Sequence, residues 1–132
     1  MIQFLLILFS YSGMTASVYG FGEKMCGDTH TPKACDENAT TASGERFDPR
    51  RATVAIALPE NMLVRPTVIQ IRLDDGPCKF VRINDKKPNK WKDSIPWDLS
   101  PAAVQMLTNK PVPKHWSGKI HICYDTIVIG KK

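Results

Sequence analysis

The first twenty residues of this 132-residue chain contain no lysine, arginine, aspartate or glutamate. The apolar run within them, Ile2 to Phe9, is shorter than the ~20 residues that cross a bilayer, which excludes a spanning helix. No cysteine stands directly behind the run to accept a lipid. An uncharged apolar run followed by the small residues of "GMTASVYG" reads as a secretory signal peptide over residues 1–20, cut near Ser17 or Gly20. Its first residues carry no side-chain cation, and an ordered N-terminal strand or helix is the rival reading. The sequence also lacks a C-x-x-C pair, and His30, His115 and His121 stand at no ligand spacing. That argues against zinc, and no metal or cofactor is expected. Repeats and low-complexity tracts are absent too.

All the charge lies in residues 21–132, with a net value of +5. A basic exported protein meets anionic surfaces such as cell-wall polymer or lipid headgroups; solubility alone is the plainer explanation. Nucleic acid is not expected, because export removes that partner. Once the leader is gone, no stable membrane anchor remains, and a monomer is expected. Four cysteines, Cys26, Cys35, Cys78 and Cys123, fit a compartment that permits disulfides. Of the three possible pairings we favour Cys26 with Cys35, a short local loop, and Cys78 with Cys123, on two strand-like runs.

Residues 21–49 are rich in Gly, Thr, Asp and Pro and read as an irregular arm. Strand-like runs follow. "ATVAIAL" (52–58) is continuous and apolar, as in a strand buried on both faces. "TVIQIRL" (67–73) and "CKFVRIN" (78–84) flank the turn signal "DDGP" and read as a hairpin. "KIHICYDTIVI" (119–129) closes the chain, with a bend expected at Asp125. One helix is signalled: Ser100 as N-cap, Pro101 in the first position, "AAVQML" after it, and Asn109 and Pro111 as stops. Many short strands and one helix predict a mainly β domain over residues 21–132, a small closed barrel.

"FVRINDKKP" (80–88) aims a carboxylate along the face of Val81 and Ile83, because alternate residues of a strand share a side. Asp85 is therefore expected at the rim of the core, partly stripped of water. Residues 84–98 read as a long loop with Lys86, Lys87, Lys90, Lys92, Trp91 and Trp97. Long loops in compact domains carry function. Indole faces stack on sugar rings and ammonium groups pair with acid substituents, so Lys86, Lys87, Trp91 and Trp97 are candidate binders of an acidic carbohydrate. A core Trp, an edge Trp and a solvated lysine face are the plain alternative.

Three stretches together carry a resemblance: "TASGERFDP" (41–49), "ATVAIALP" (52–59) and "VRINDKKP…DLSPAA" (81–103). In order and spacing they resemble the rare lipoprotein A group over about residues 40 to 108. The resemblance implies a six-stranded double-psi β-barrel, shared with barwin-like proteins and the first domain of expansins. It implies a bacterial periplasmic or secreted lytic transglycosylase. Such an enzyme cuts the MurNAc–GlcNAc linkage of peptidoglycan glycan strands without water and leaves 1,6-anhydroMurNAc ends. The group's catalytic Asp falls on Asp85, as acid and then base, and its Glu falls on Glu45, assisting by orientation or charge.

The chain departs from the group in places. The group's histidine after T-A-A should fall near Ile56 and is absent. D-K-K-P stands for D-R-G-P, so Lys87 replaces a glycine that could need positive φ. The Cys26–Cys35 arm is an addition. A non-catalytic wall-polysaccharide binder using the same groove is therefore the alternative reading. A plain hydrolase is a third, with carboxylate separation setting the stereochemistry. Asp48, before a proline in a turn, and Asp98, within reach of the amides at the helix start, are assigned structural roles.

Overall fold

A computed structural model describes residues 2–19 and 40–129, residues 124–129 by backbone alone. The expected Cys26–Cys35 bridge and most of the 21–49 arm lie outside the described residues. A helix, α1 (Ile2–Ser10), leads into strand β1 (Met14–Val18). Then come β2 (Thr53–Leu58), β3 (Thr67–Arg72), β4 (Lys79–Pro88), β5 (Trp97–Leu99), helix α2 (Pro101–Thr108) and β6 (Ser117–Ile129). The six strands close into a barrel in the order β1-β5-β2-β4-β3-β6. The β1/β5 and β2/β4 pairs are parallel; the other pairs are antiparallel.

The runs of β-branched residues form strands because such side chains pack well on a pleated, buried surface. All of β2 is buried, as its unbroken apolar run predicts. Val54, Ile56, Ile69, Ile71, Val81, Ile83, Leu99 and Ile120 fill the core. β3 and β4 pair as the expected hairpin across the "DDGP" turn. Cys78 and Cys123 are bonded, with Cα atoms 6.3 Å apart, pinning the start of β4 to β6.

Ser100 ties α2 to the barrel through one hydroxyl. It accepts from the Ala103 amide (3.2 Å) as N-cap, accepts from the Thr53 amide (3.0 Å) and donates to the Arg51 carbonyl (2.6 Å). Asn109 ends the helix in the left-handed conformation, φ 56°, which Asn tolerates.

The N-terminal segment is built into the fold. Phe4 and Leu8 of α1 reach the core cluster. The Tyr11 hydroxyl donates to the Ala57 carbonyl (2.6 Å), and the Trp97 indole donates to the Tyr11 carbonyl (2.9 Å). β1 lies between β5 and β6, with Ala16 opposite Trp97 and Met14 opposite Ile120. Residues 14–18, which the sequence reading placed inside a leader, thus supply a barrel strand. A cut near Ser17 or Gly20 would remove that strand. The 84–98 loop is also largely ordered: β4 runs on to Pro88, Asn89–Trp91 is a 3-10 turn, and β5 starts at Trp97.

Candidate active site

Asp85 does not share the face of Val81 and Ile83. Ile83 is opposite Val54, yet Asp85 is opposite Ala55, so Asn84 is an extra residue in β4. This is a β-bulge, unusual in a parallel pair. It reverses the alternation. Val54 and Ile83 point into the barrel, whereas Ala55 and Asp85 point out. The buried Asn84 absorbs the extra step.

The register then sets a row of residues across four strands. Asp85 pairs with Ala55, Ala55 with Asp98, and Asp98 with Ser17. Residues in register share a face. Two carboxyl groups therefore face each other over one methyl group, with backbones two strand spacings apart, about 10 Å. Asp98 Oδ1 accepts from the Ser17 hydroxyl and from the Lys87 ammonium, the latter at 3.0 Å. Ser100, not Asp98, caps α2. The role expected for Asp98 is thus corrected: it belongs to the row of Asp85.

Asp85 Oδ1 accepts from the amides of Ala42 and Lys86, both at 2.9 Å. Oδ2 has no hydrogen bond among the described residues. Burial pushes the Asp85 carboxyl above the ordinary carboxylate range, against the two amide bonds; the Asp98 charge adds to the rise and the Lys86 charge opposes it. The Lys86 charge is the smallest of these influences, and the Lys87 charge is paired with Asp98. Lys87 sits on Asp98 and on the Ile95 carbonyl (2.7 Å). Lys86 donates to the carbonyls of Glu60 and Met62.

The "TASGE" segment folds as a turn against the bulge. Thr41 and Glu45 close it (2.7 Å), Gly44 takes φ 91°, a conformation suited to glycine, and the Ser43 amide donates to the Asn84 carbonyl at 3.1 Å. Ala42 of this turn reaches Asp85, and Glu45 reaches Arg82. The Arg82 fork donates to both Glu45 oxygens at 2.7–3.0 Å. That bond, first among the causes, holds the Glu45 carboxyl below its usual range. Glu45 is thus held towards its anionic form, whereas burial shifts Asp85 towards its protonated form.

Glu45, Arg51, Ala52, Thr53, Arg82 and Asn84 line an open cavity of ≈ 490 Å³. A second, of ≈ 480 Å³, is lined by Leu58, Glu60, Lys86, Lys87, Pro88 and Asn89. In β4, Asp85 separates Asn84 of the first from Lys86 of the second. Trp91 is 39% exposed, with the ammonium groups of Lys87 and Lys90 at 5.2 and 5.5 Å from its ring centre. Trp97 is fully buried, so it offers no face to a sugar ring; it is the core Trp of the plain alternative.

Sequence reasoning missed Ser17, Asp98 and Arg82. A signal for Asp98 was available: "WDL" places one acid between two large apolar residues, the alternation of a strand with Asp98 facing out. Lys87 needs no glycine conformation, since among the described non-glycine residues Asn109 alone has positive φ. Asp48 keeps its turn role, accepting from the Arg50 amide at 2.9 Å. Ile56, where the group's histidine should fall, is fully buried in the core. No protein-family model matches the chain, and no curated protein matches it.

Proposed function

We propose that this is a rare lipoprotein A-like double-psi β-barrel that cleaves peptidoglycan glycan strands outside the cytoplasm as a lytic transglycosylase. The observation that carries the reading is the geometry of the Asp85 carboxyl: part-buried in the row that holds Asp98, with Oδ1 held by two amides and Oδ2 without a hydrogen bond among the described residues; burial pushes its pKa upward. A closed barrel of six strands with two parallel pairs is compatible with the double-psi form.

In the proposed reaction, protonated Asp85 gives its proton to the glycosidic oxygen between MurNAc and GlcNAc. The C1–O bond breaks, and positive charge spreads over C1 and the ring oxygen. The Asp85 carboxylate then takes the proton of the muramic 6-hydroxyl while that oxygen bonds to C1. The anhydro ring closes, no water is consumed, and Asp85 ends protonated as it began. Asp98, bonded to Lys87 and Ser17, supplies fixed negative charge beside it. Glu45 contributes charge and holds the 41–45 turn through Arg82, rather than donating a proton. Trp91 with Lys90 is the platform for an acidic sugar, the Lys87 ammonium being held by Asp98 and the Ile95 carbonyl.

Mass spectrometry of glycan strands after incubation tests this. Wild type should yield 1,6-anhydro ends and Asp85→Asn none. Reducing ends instead would indicate a hydrolase. The second reading, a wall-polysaccharide binder, is favoured by the apolar Ile56 where the group has histidine. It requires that neither protein yields fragments, while Trp91→Ala weakens pull-down by insoluble wall.

A further inference from the structure

Two residues that line the ≈ 490 Å³ cavity next to Asp85 carry polar atoms that the fold leaves unpaired. Thr53 is 5% and Asn84 2% exposed, and among the described residues Thr53 Oγ1 and Asn84 Oδ1 have no hydrogen-bond partner. Buried polar groups are ordinarily paired, so an unpaired one marks a place for a ligand or for ordered solvent. The Asn84 side chain hydrogen-bonds the Glu45 carboxyl and helps to hold it ionised. Its NH2 end therefore faces Glu45, and Oδ1 is the end left over. Thr53 stands opposite Arg82 and two residues before Ala55, the partner of Asp85. Alternate residues of a strand share a face, so Thr53 lies ~7 Å along β2 from the row of Asp85.

We propose that this cavity is the subsite for the acetamido group of an N-acetyl sugar, with Asn84 Oδ1 accepting from the amide N–H and the Thr53 hydroxyl donating to the amide carbonyl. It rests on the glycan-binding part of the function proposed above. Three features select a neutral secondary amide. Asn84 Oδ1 can only accept and the Thr53 hydroxyl can donate, so the ligand offers one donor and one acceptor. The two atoms come from different strands, Asn84 lying two positions beyond the residue opposite Thr53. An amide carries its donor and acceptor on separate atoms that point apart, whereas a sugar hydroxyl has both on one oxygen. The charges of the lining do not call for an anion: Glu45 holds the Arg82 fork, and the Arg51 charge acts on Glu45 and on Asp48. Ala52 is the apolar member of the lining, suited to the acetyl methyl group.

Titration calorimetry of the full chain tests the proposal, with the tetramer of N-acetylglucosamine and with cellotetraose, which has a hydroxyl in place of each acetamido group. The wild type should bind the N-acetyl tetramer at least about tenfold more tightly. Thr53→Val keeps the size and branching of the side chain. It should weaken that preference about threefold to tenfold and keep or raise the melting midpoint, since it removes a buried hydroxyl that has no partner. Thr53→Ser should restore the preference. The proposal is overturned by equal binding of the two tetramers, by binding of neither, or by a Thr53→Val variant with the wild-type preference. It is equally overturned if Thr53→Val lowers the melting midpoint, which would give the hydroxyl a structural part. Product analysis reads the chemistry separately: selective binding without anhydro products keeps the subsite and removes the cleavage, and anhydro products with equal tetramer binding do the reverse.

Discussion

Replacing Asp85 by Asn should remove the cleavage activity and leave the protein at least as stable as wild type at neutral pH. An amide oxygen can accept from the Ala42 and Lys86 amides as the carboxylate does, so the turn stays docked on the bulge. Asn cannot donate an acidic proton, and loss of a general acid lowers rates by about 10²–10⁴. Replacement by Ala removes the acceptor for both N–H groups at about 1 kcal/mol each, so Asp85→Ala should be about 2 kcal/mol less stable than Asp85→Asn. The pH dependence carries a definite sign. The Asp85 pKa is raised in the folded protein, so its protonated form favours folding. That contribution is full below the unfolded pKa, about 3.9, and is lost as pH rises through the folded value. The advantage of Asp85→Asn over wild type should therefore be nil at acid pH and grow towards neutrality. Urea denaturation of the three proteins across pH, beside product analysis, gives the comparison. An Asn variant that is less stable than wild type at neutral pH would refute the reasoning about burial, and anhydro products from it would refute the assigned acid.

Ser100→Ala should cost about 2–4 kcal/mol, the sum of a lost N-cap and a buried Thr53 amide left without its acceptor; a urea midpoint close to wild type would show that the hydroxyl is dispensable. Gly44→Ala forces a side chain into φ 91°. It should destabilise by about 1–2 kcal/mol and, by loosening Ala42 from Asp85, reduce cleavage more than binding to wall polymer, as kinetics and pull-down can separate. Loss of the Cys78–Cys123 bridge, which closes a separation of 45 residues, should cost up to about 4 kcal/mol by the chain-entropy relation, read as a lower thermal midpoint of the double Ser variant. Glu45 has a lowered pKa, so its pairing with Arg82 contributes stability above the unfolded pKa of Glu and loses it as pH falls through the folded value. Glu45→Gln should flatten that acid limb of the stability curve.

The strands that the sequence reveals are those whose burial shows as local pattern: 53–58, 67–72, the first half of β4, and β6. α2 was legible because Ser100, Pro101 and Asn109 each act within one turn. β1 was not, because an uncharged small-residue stretch suits a leader as well as a strand enclosed by two neighbours. β5 has three residues, so the alternation of "WDL" is a single step, and it closes a lysine-rich stretch that reads as a loop. Asp85 was singled out as a candidate, but its direction was misjudged. The bulge at Asn84 is a relation between β4 and β2, which one strand's alternation cannot display. Trp91 lies between two lysines and Trp97 within the alternating "WDL", yet the sequence reading grouped both in one loop; the enclosure of Trp97 by β1, β2 and the Tyr11 carbonyl separates core from surface.

The strand made first finds its partners last. Met14–Val18 hydrogen-bonds to Trp97–Leu99 and to the segment beginning at Ser117. During synthesis, therefore, β1 must wait for about eighty residues to emerge before either neighbour exists, and ring closure is postponed until the C-terminal strand arrives. Contacts of such long sequence separation fold slowly and leave an unpaired edge exposed meanwhile. For this chain, any factor that shelters the nascent N-terminal segment would govern how much of it reaches the closed form.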